Sequence, residues 1–234
     1  MVGPSSLHET PAAPLAIRER DDGVRLPVVH FLLSDAYAGT GVSRTTIGLA
    51  NWLTGRGHTV EVTSLLRRAE KPRFPLGTRI GLTVLDDVRE RTPQRLILAD
   101  CSSWLRPNPA DAETSLLTDL LLRRRLRRLR GIVVSTRPSL HLAVARWAPT
   151  ELTTIGFEPL GFDARFSRAK RAKALRAAIP RLDRYVVSTF GDAAAYRNAM
   201  PECAARIGVI RHGRVTAWEE LLRDAAAEGP HVPR

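Results

Sequence analysis

The chain has 234 residues, 44% of them apolar and 26% charged, which is enough to bury one sizeable core. A formal net charge of +12 implies attraction to something anionic, whether nucleic acid, an anionic membrane surface or a phosphorylated substrate, and charge alone does not choose among them. Two cysteines, Cys101 and Cys203, stand in no CxxC and beside no Cys/His cluster, which argues against a disulfide framework or a zinc site, and no stretch of about 18 apolar residues exists to span a membrane.

Residues 1–26 read as a disordered tail rather than a signal peptide. Prolines, serines and the run Arg18-Glu19-Arg20-Asp21-Asp22 stand where an apolar core and cleavage site would be. This predicts a cytoplasmic location. The fold then begins at Val28-Val29-His30-Phe31-Leu32-Leu33, the continuous apolar run of a strand buried on both faces. A loop, Ser34 to Gly41, leads into a helical pattern through Val42, Leu49, Ala50 and Leu53 that stops at Gly55. Arg56-Gly57-His58 turns the chain into a second strand at Val60, so these elements form a βαβ unit with parallel strands.

The same alternation continues. Strands are predicted over 79–85 and 95–99, a helix over 114–130 that ends at Gly131, and a strand over 131–136. Pro138 opens the next helix, which ends before Pro149. A strand over 152–157, a helix over 164–179, a strand over 184–189, a helix over 192–200, a strand over 206–210 and a closing helix over 216–227 complete the pattern. Such alternation predicts one doubly wound α/β domain with a mostly parallel sheet. The boundaries are residues 27–213 for the domain and 214–234 for a C-terminal helix and tail. Ligands of such sheets bind beyond the carboxyl ends of the strands, which directs attention to the loops after Leu33, Thr136, Phe157 and Thr189.

The first of these loops carries the clearest chemistry. Gly39-Thr40-Gly41 joins a buried strand to a helix whose first turn holds Ser43 and Arg44. Free N–H groups at a helix start favour anions, and glycine lets a phosphate approach the backbone. The loop is not a P-loop, and Arg44 occupies the third glycine position of GxGxxG, which argues against a nucleotide-binding oxidoreductase. A plain strand-to-helix turn remains an equal reading of the spacing. No Asp-x-Asp metal motif occurs; Asp21-Asp22 and Asp86-Asp87 are adjacent pairs.

Several of these segments together resemble family-4-like glycosyltransferases of the B-type, two-Rossmann-domain architecture. The run Gly48-Leu49-Ala50-Asn51-Trp52-Leu53-Thr54-Gly55-Arg56-Gly57-His58-Thr59-Val60 is similar to the helix end and Arg-Gly-His turn with which that family opens. Val133 to Leu140 resembles its strand-to-helix junction. Ile155-Gly156-Phe157-Glu158-Pro159 is similar to its glutamate-histidine loop, with Pro159 in place of histidine, and Asp183 to Ala193 resembles a later strand and helix start. Val209-Ile210-Arg211-His212-Gly213 stands where the family has Ile-Pro-Asn-Gly before its second domain.

The resemblance implies an N-terminal, acceptor-side Rossmann-like domain that transfers sugar from a nucleotide-sugar without metal or other cofactor. Gly39, Thr40, Gly41, Ser43 and Arg44 would then meet the donor diphosphate. Arg137, Glu158 and Thr189 would line the acceptor cleft, with Glu158 as the candidate catalytic residue. The 21 residues after Gly213 are too few for a donor-binding half, so donor binding would need a separate donor-domain partner. A non-catalytic binding or scaffold domain is the alternative. Finally, Arg123, Arg124, Arg127 and Arg128 alternate with Leu122, Leu126 and Leu129, a helix suited to an anionic membrane or a lipid-linked acceptor. Aromatic residues are only 6% and do not interleave with the arginines, which disfavours nucleic acid. His58 reads as a structural residue of its turn and Asp192 or Thr189 as a helix cap.

Overall fold

The computed structural model describes residues 27–109, 113–211, 213 and 215–230. The expected tail over 1–26 and His212 lie outside the described residues. Seven strands form one all-parallel sheet: β1 (Val29–Asp35), β2 (Val60–Arg67), β3 (Gly81–Asp87), β4 (Ile132–Ser135), β5 (Thr153–Glu158), β6 (Arg184–Val187) and β7 (Ile207–Val209). Their order is β3-β2-β1-β4-β5-β6-β7. The chain winds outward from β1 in one direction and from β4 in the other, so the order reverses between these two central strands. The protein is a Rossmann-like, doubly wound α/β fold.

Helices cover both faces, as a sheet buried on two sides requires. The helix α1 (Gly41–Gly55) packs on one face, where Phe31, Leu33, Val62 and Val134 meet Ile47, Ala50 and Leu53. The other face is covered by α3 (Leu116–Leu126), α4 (Pro138–Trp147), α6 (Ala169–Ala178) and α7 (Phe190–Ala199), with Leu32, Val133 and Tyr185 against Leu126, Ala143, Leu175 and Tyr196. The shorter helices α2 (Pro93–Asp100) and α5 (Phe162–Phe166) sit at the carboxyl edge of β3 and after β5. Gly131 adopts φ +96°, and a Cβ there would lie 2.5 Å from the Val28 carbonyl oxygen, so only glycine fits between α3 and β4.

The last helix, α8 (Val215–Glu228), belongs to the same core rather than to a separate C-terminal segment. It crosses back over the α1 face, where Trp218 packs edge-on against Phe157 at 4.9 Å, and Leu222 and Ala225 are buried. Ile132, Ile155, Phe157 and Val186 of the sheet belong to the same buried cluster. The Arg-Gly-His turn anchors this return: Arg56 donates to Glu219 (3.3 Å), and buried His58 lies 3.8 Å from the same carboxylate. His58 is thus structural, and it pins α8 instead of capping its own turn.

Three sequence expectations need correction. Residues 95–99 are not a strand but part of α2, started by the Thr92 cap and Pro93. The helix expected over 164–179 is broken at Ser167 and Arg168 into α5 and α6. The helix expected over 114–130 spans only 116–126, set by a capping box of Ser115 and Thr118.

Candidate functional site

The strand order reverses between β1 and β4, the position at which sheets of this kind form a crevice outside their carboxyl ends. From it α1 departs on one face and α4 on the other, so two helix N-termini flank one opening. Thr136 ties the lips together by donating from Oγ1 to the Leu32 carbonyl oxygen (2.8 Å).

On the α1 lip, Thr40 is the N-cap. Its Oγ1 accepts from the Ser43 amide (3.2 Å), and buried Ser43 donates from Oγ to the Asp35 carbonyl oxygen (3.0 Å). Both hydroxyls are therefore spent on closing the loop. The amides of Gly41 and Val42 open the helix, where no intrahelical acceptor exists. Neither Gly39 nor Gly41 has a positive φ, and a Cβ on Gly41 would meet nothing within 4 Å. Nothing inside the fold demands these glycines. Their effect is to leave the approach to the helix start open.

Cations surround this loop. Arg44 is exposed on the first turn of α1. From the segment after β2, Arg73 packs near Gly39, since a Cβ on Gly39 would lie 3.4 Å from Arg73 Cγ. Arg68 comes within 3.5 Å of Asp35, and Arg67 lies over the Tyr37 ring at 5.0 Å. Asp35 is the one acid of the loop; it is buried and accepts from the Tyr37 amide (2.8 Å). Sequence reading missed Asp35, Arg68 and Arg73. Asp35 was legible as the acid closing β1, whereas the arginines reach the loop only through the sheet.

On the other lip, Arg137 is the N-cap of α4, makes no side-chain cap, and pairs with Glu113 (3.1 Å). Arg137 thus stands between the end of β4 and the start of α4.

The β5–β6 part of the same edge differs. Glu158 is not a cleft-facing loop residue: it ends β5, is fully buried, and has both oxygens engaged. Arg165 of α5 donates to it twice (2.7 and 2.8 Å), and the Leu160 amide donates to Oε1 (3.1 Å). Burial pushes the Glu158 carboxyl above its usual range, with Arg165 pulling against it. Burial likewise opposes the Arg165 charge, yet the Glu158 carboxylate carries that pKa upward, as expected of a held ion pair. Around the pair stand buried His141, Tyr185 and Tyr196. His141 Nδ1 is 2.7 Å from Ser135 Oγ, while its Nε2, 4.0 Å from Glu158, and both phenol oxygens lack a hydrogen-bond partner among the described residues. Burial, with Arg165 adding to it, lowers the His141 pKa to about 3, so the ring is neutral.

Thr189 caps α7, accepting from the Asp192 amide (3.0 Å) and donating to its carboxylate (2.6 Å), while Asp192 also accepts from the Phe162 amide (2.7 Å). It serves local structure. Beside it, Leu160 and Phe190 are exposed large apolar side chains, so this edge presents apolar surface to whatever meets it.

Gly39, Thr40, Gly41, Ser43 and Arg44 thus lie together at the start of α1 and Arg137 at the start of α4, whereas Glu158 is held by Arg165 and Thr189 by Asp192. Among the described residues no cluster of His, Cys, Asp or Glu is arranged to hold a metal ion, and no helix is long and apolar enough to cross a membrane. No model of a known protein family matches the chain, and no curated protein matches it.

Proposed function

We propose that the β1–β4 crevice is a diphosphate subsite, and that the chain serves as the acceptor-side domain of a family-4-like glycosyltransferase. The observation that carries this reading is the first loop. Its glycines answer to no internal strain or packing, its hydroxyls face inward, and its helix-start amides are ringed by Arg44, Arg68 and Arg73. These groups would stabilise negative charge on a departing nucleoside diphosphate, with Arg137 across the crevice. The exposed Leu160 and Phe190 at the same edge suit an apolar acceptor or a donor-binding partner domain. A peripheral membrane position, with Arg123, Arg124, Arg127 and Arg128 toward anionic lipid, is part of the same reading.

The alternative is a binding domain without catalysis. It is favoured by the state of Glu158, the one carboxylate that the resemblance assigns to the cleft, which is locked to Arg165.

Calorimetric titration with inorganic pyrophosphate, UDP, GDP and their sugars separates these readings. Weak binding is expected, similar for pyrophosphate and the nucleotides, and abolished by Arg44→Ala with Gly41→Val. Micromolar, base-selective binding would contradict an acceptor-side role. Absence of any pyrophosphate binding would remove the diphosphate subsite.

A further inference from the structure

The helix α2 buries none of its residues. Eight residues do not hold a helix in water by themselves, and here polar contacts rather than apolar packing fasten it. Arg95 donates to the Leu85 carbonyl oxygen (2.8 Å) and lies 3.3 Å from fully buried Asp86. This fixing turns the apolar residues of α2 outward: Leu96 is 49% exposed and Ile97 66%.

The apolar surface continues from there. The Leu116 amide donates to the Cys101 carbonyl oxygen (3.0 Å), joining the end of α2 to the start of α3. Trp104, 49% exposed, has its amide bonded to buried Asp119 (2.5 Å) and is thereby tied to α3, which carries the exposed Leu120. Of the six exposed large apolar side chains among the described residues, four belong to this one region. From Leu120 the outer face of α3 runs on through Arg123, Arg124, Arg127 and Arg128, all exposed and bordering a hollow of about 530 Å³. The spacing of three and four keeps Leu120, Arg123 and Arg124 on one face of α3, and the turn that follows brings Arg127 and Arg128 to the same hollow. The acid of α3, Asp119, points inward.

Leucine, isoleucine and tryptophan beside a row of arginines suit a bilayer interface. The apolar side chains enter the headgroup–acyl boundary, tryptophan settles at that level, and guanidinium groups meet lipid phosphates. A nucleic-acid backbone would satisfy the arginines and leave Leu96 and Ile97 facing charge.

We infer that α2, Trp104 and the outer face of α3 form a membrane-docking surface. Leu96, Ile97 and Trp104 are the inserted anchors, and Arg123, Arg124, Arg127 and Arg128 the contacts to anionic lipid. This deepens the membrane part of the reading above and is independent of diphosphate binding at the crevice.

The test is co-sedimentation of the full chain with phosphatidylcholine vesicles, with and without phosphatidylserine, together with quenching of tryptophan fluorescence by brominated acyl chains. Partitioning onto the anionic vesicles is expected, with quenching that Trp104→Phe removes. Changing the four arginines to glutamine should lower partitioning by about a thousandfold. Leu96→Glu with Ile97→Glu, at exposed positions that leave folding intact, should lower it by about tenfold or more. Sedimentation with neither quenching nor sensitivity at Leu96 and Ile97 would overturn the anchor and leave only arginine attraction. Failure to bind anionic vesicles, or binding to single-stranded RNA in their place, would overturn the docking surface altogether. Pyrophosphate titration of the same variants keeps this outcome separate from failure of the crevice reading.

Discussion

The carboxyl edge of the sheet treats its two halves differently. At β1 and β4 the edge is left uncovered: Gly41 faces free space, and Arg44, Arg68 and Arg73 stay exposed. At β5 and β6 the corresponding position is closed: α5 returns Arg165 to Glu158, and His141, Tyr185 and Tyr196 complete a buried polar cluster. The difference shows that a carboxylate at a strand end is not by itself a site. What decides is whether the next few residues leave it open or bring it a partner.

The largest effect should come from breaking the closed half. Arg165→Ala leaves Glu158 buried without its cation and should cost about 3–5 kcal/mol in denaturant unfolding. Adding Glu158→Gln should recover much of the loss, because the stranded charge is gone. A small effect of the single change would mean that the edge at β5 opens readily, and the contrast with β1 would fail.

Acid should act on the same half. His141 is neutral in the fold, with its pKa lowered from 6.5 to about 3, while in the unfolded chain it takes up a proton below 6.5. Its contribution to stability is therefore complete above pH 6.5 and declines as pH falls toward 3, by about 1.4 kcal/mol per pH unit over that window. Unfolding measured across the window should show stability falling with pH, and His141→Gln should reduce that fall, leaving the part that belongs to buried His30 and His58.

Two glycine substitutions sharpen the comparison further. A Cβ on Gly156 of β5 would lie 2.6 Å from a Tyr185 ring carbon and 2.9 Å from Leu182 Cδ1, so Gly156→Ala should cost about 1–3 kcal/mol. Gly41→Ala meets nothing and should stay within about 0.5 kcal/mol of the parent, while weakening pyrophosphate binding. Replacing the Thr189 cap by alanine should cost about 1 kcal/mol and leave pyrophosphate binding untouched.

Much of the fold was legible in the chain because its cause is local. Apolar runs such as Val28–Leu33 and Ile132–Val134, rich in strand formers, read as strands buried on both faces, and Gly131 and Pro138 punctuate the second. The misreading at 95–99 came from weighing Leu96-Ile97-Leu98-Ala99 as a buried run, although Thr92 and Pro93 already signalled a helix start. Leu96 and Ile97 of that run are exposed, and a short apolar run does not by itself say which of its residues are buried.

The sequence by itself determined the alternation of strands and helices, the parallel sheet that follows from it, and the glycine-bearing loop at the end of the first strand. Each of these depends on neighbours within a few positions along the chain. Only the tertiary structure decided that Glu158 is neutralised by Arg165, that His58 and Arg56 hold α8 against the sheet, and that Arg68 and Arg73 reach the first loop. The reason is the same in each case. The energy of a charge depends on what is packed around it, and those partners come from other elements whose meeting is fixed by the order of the strands.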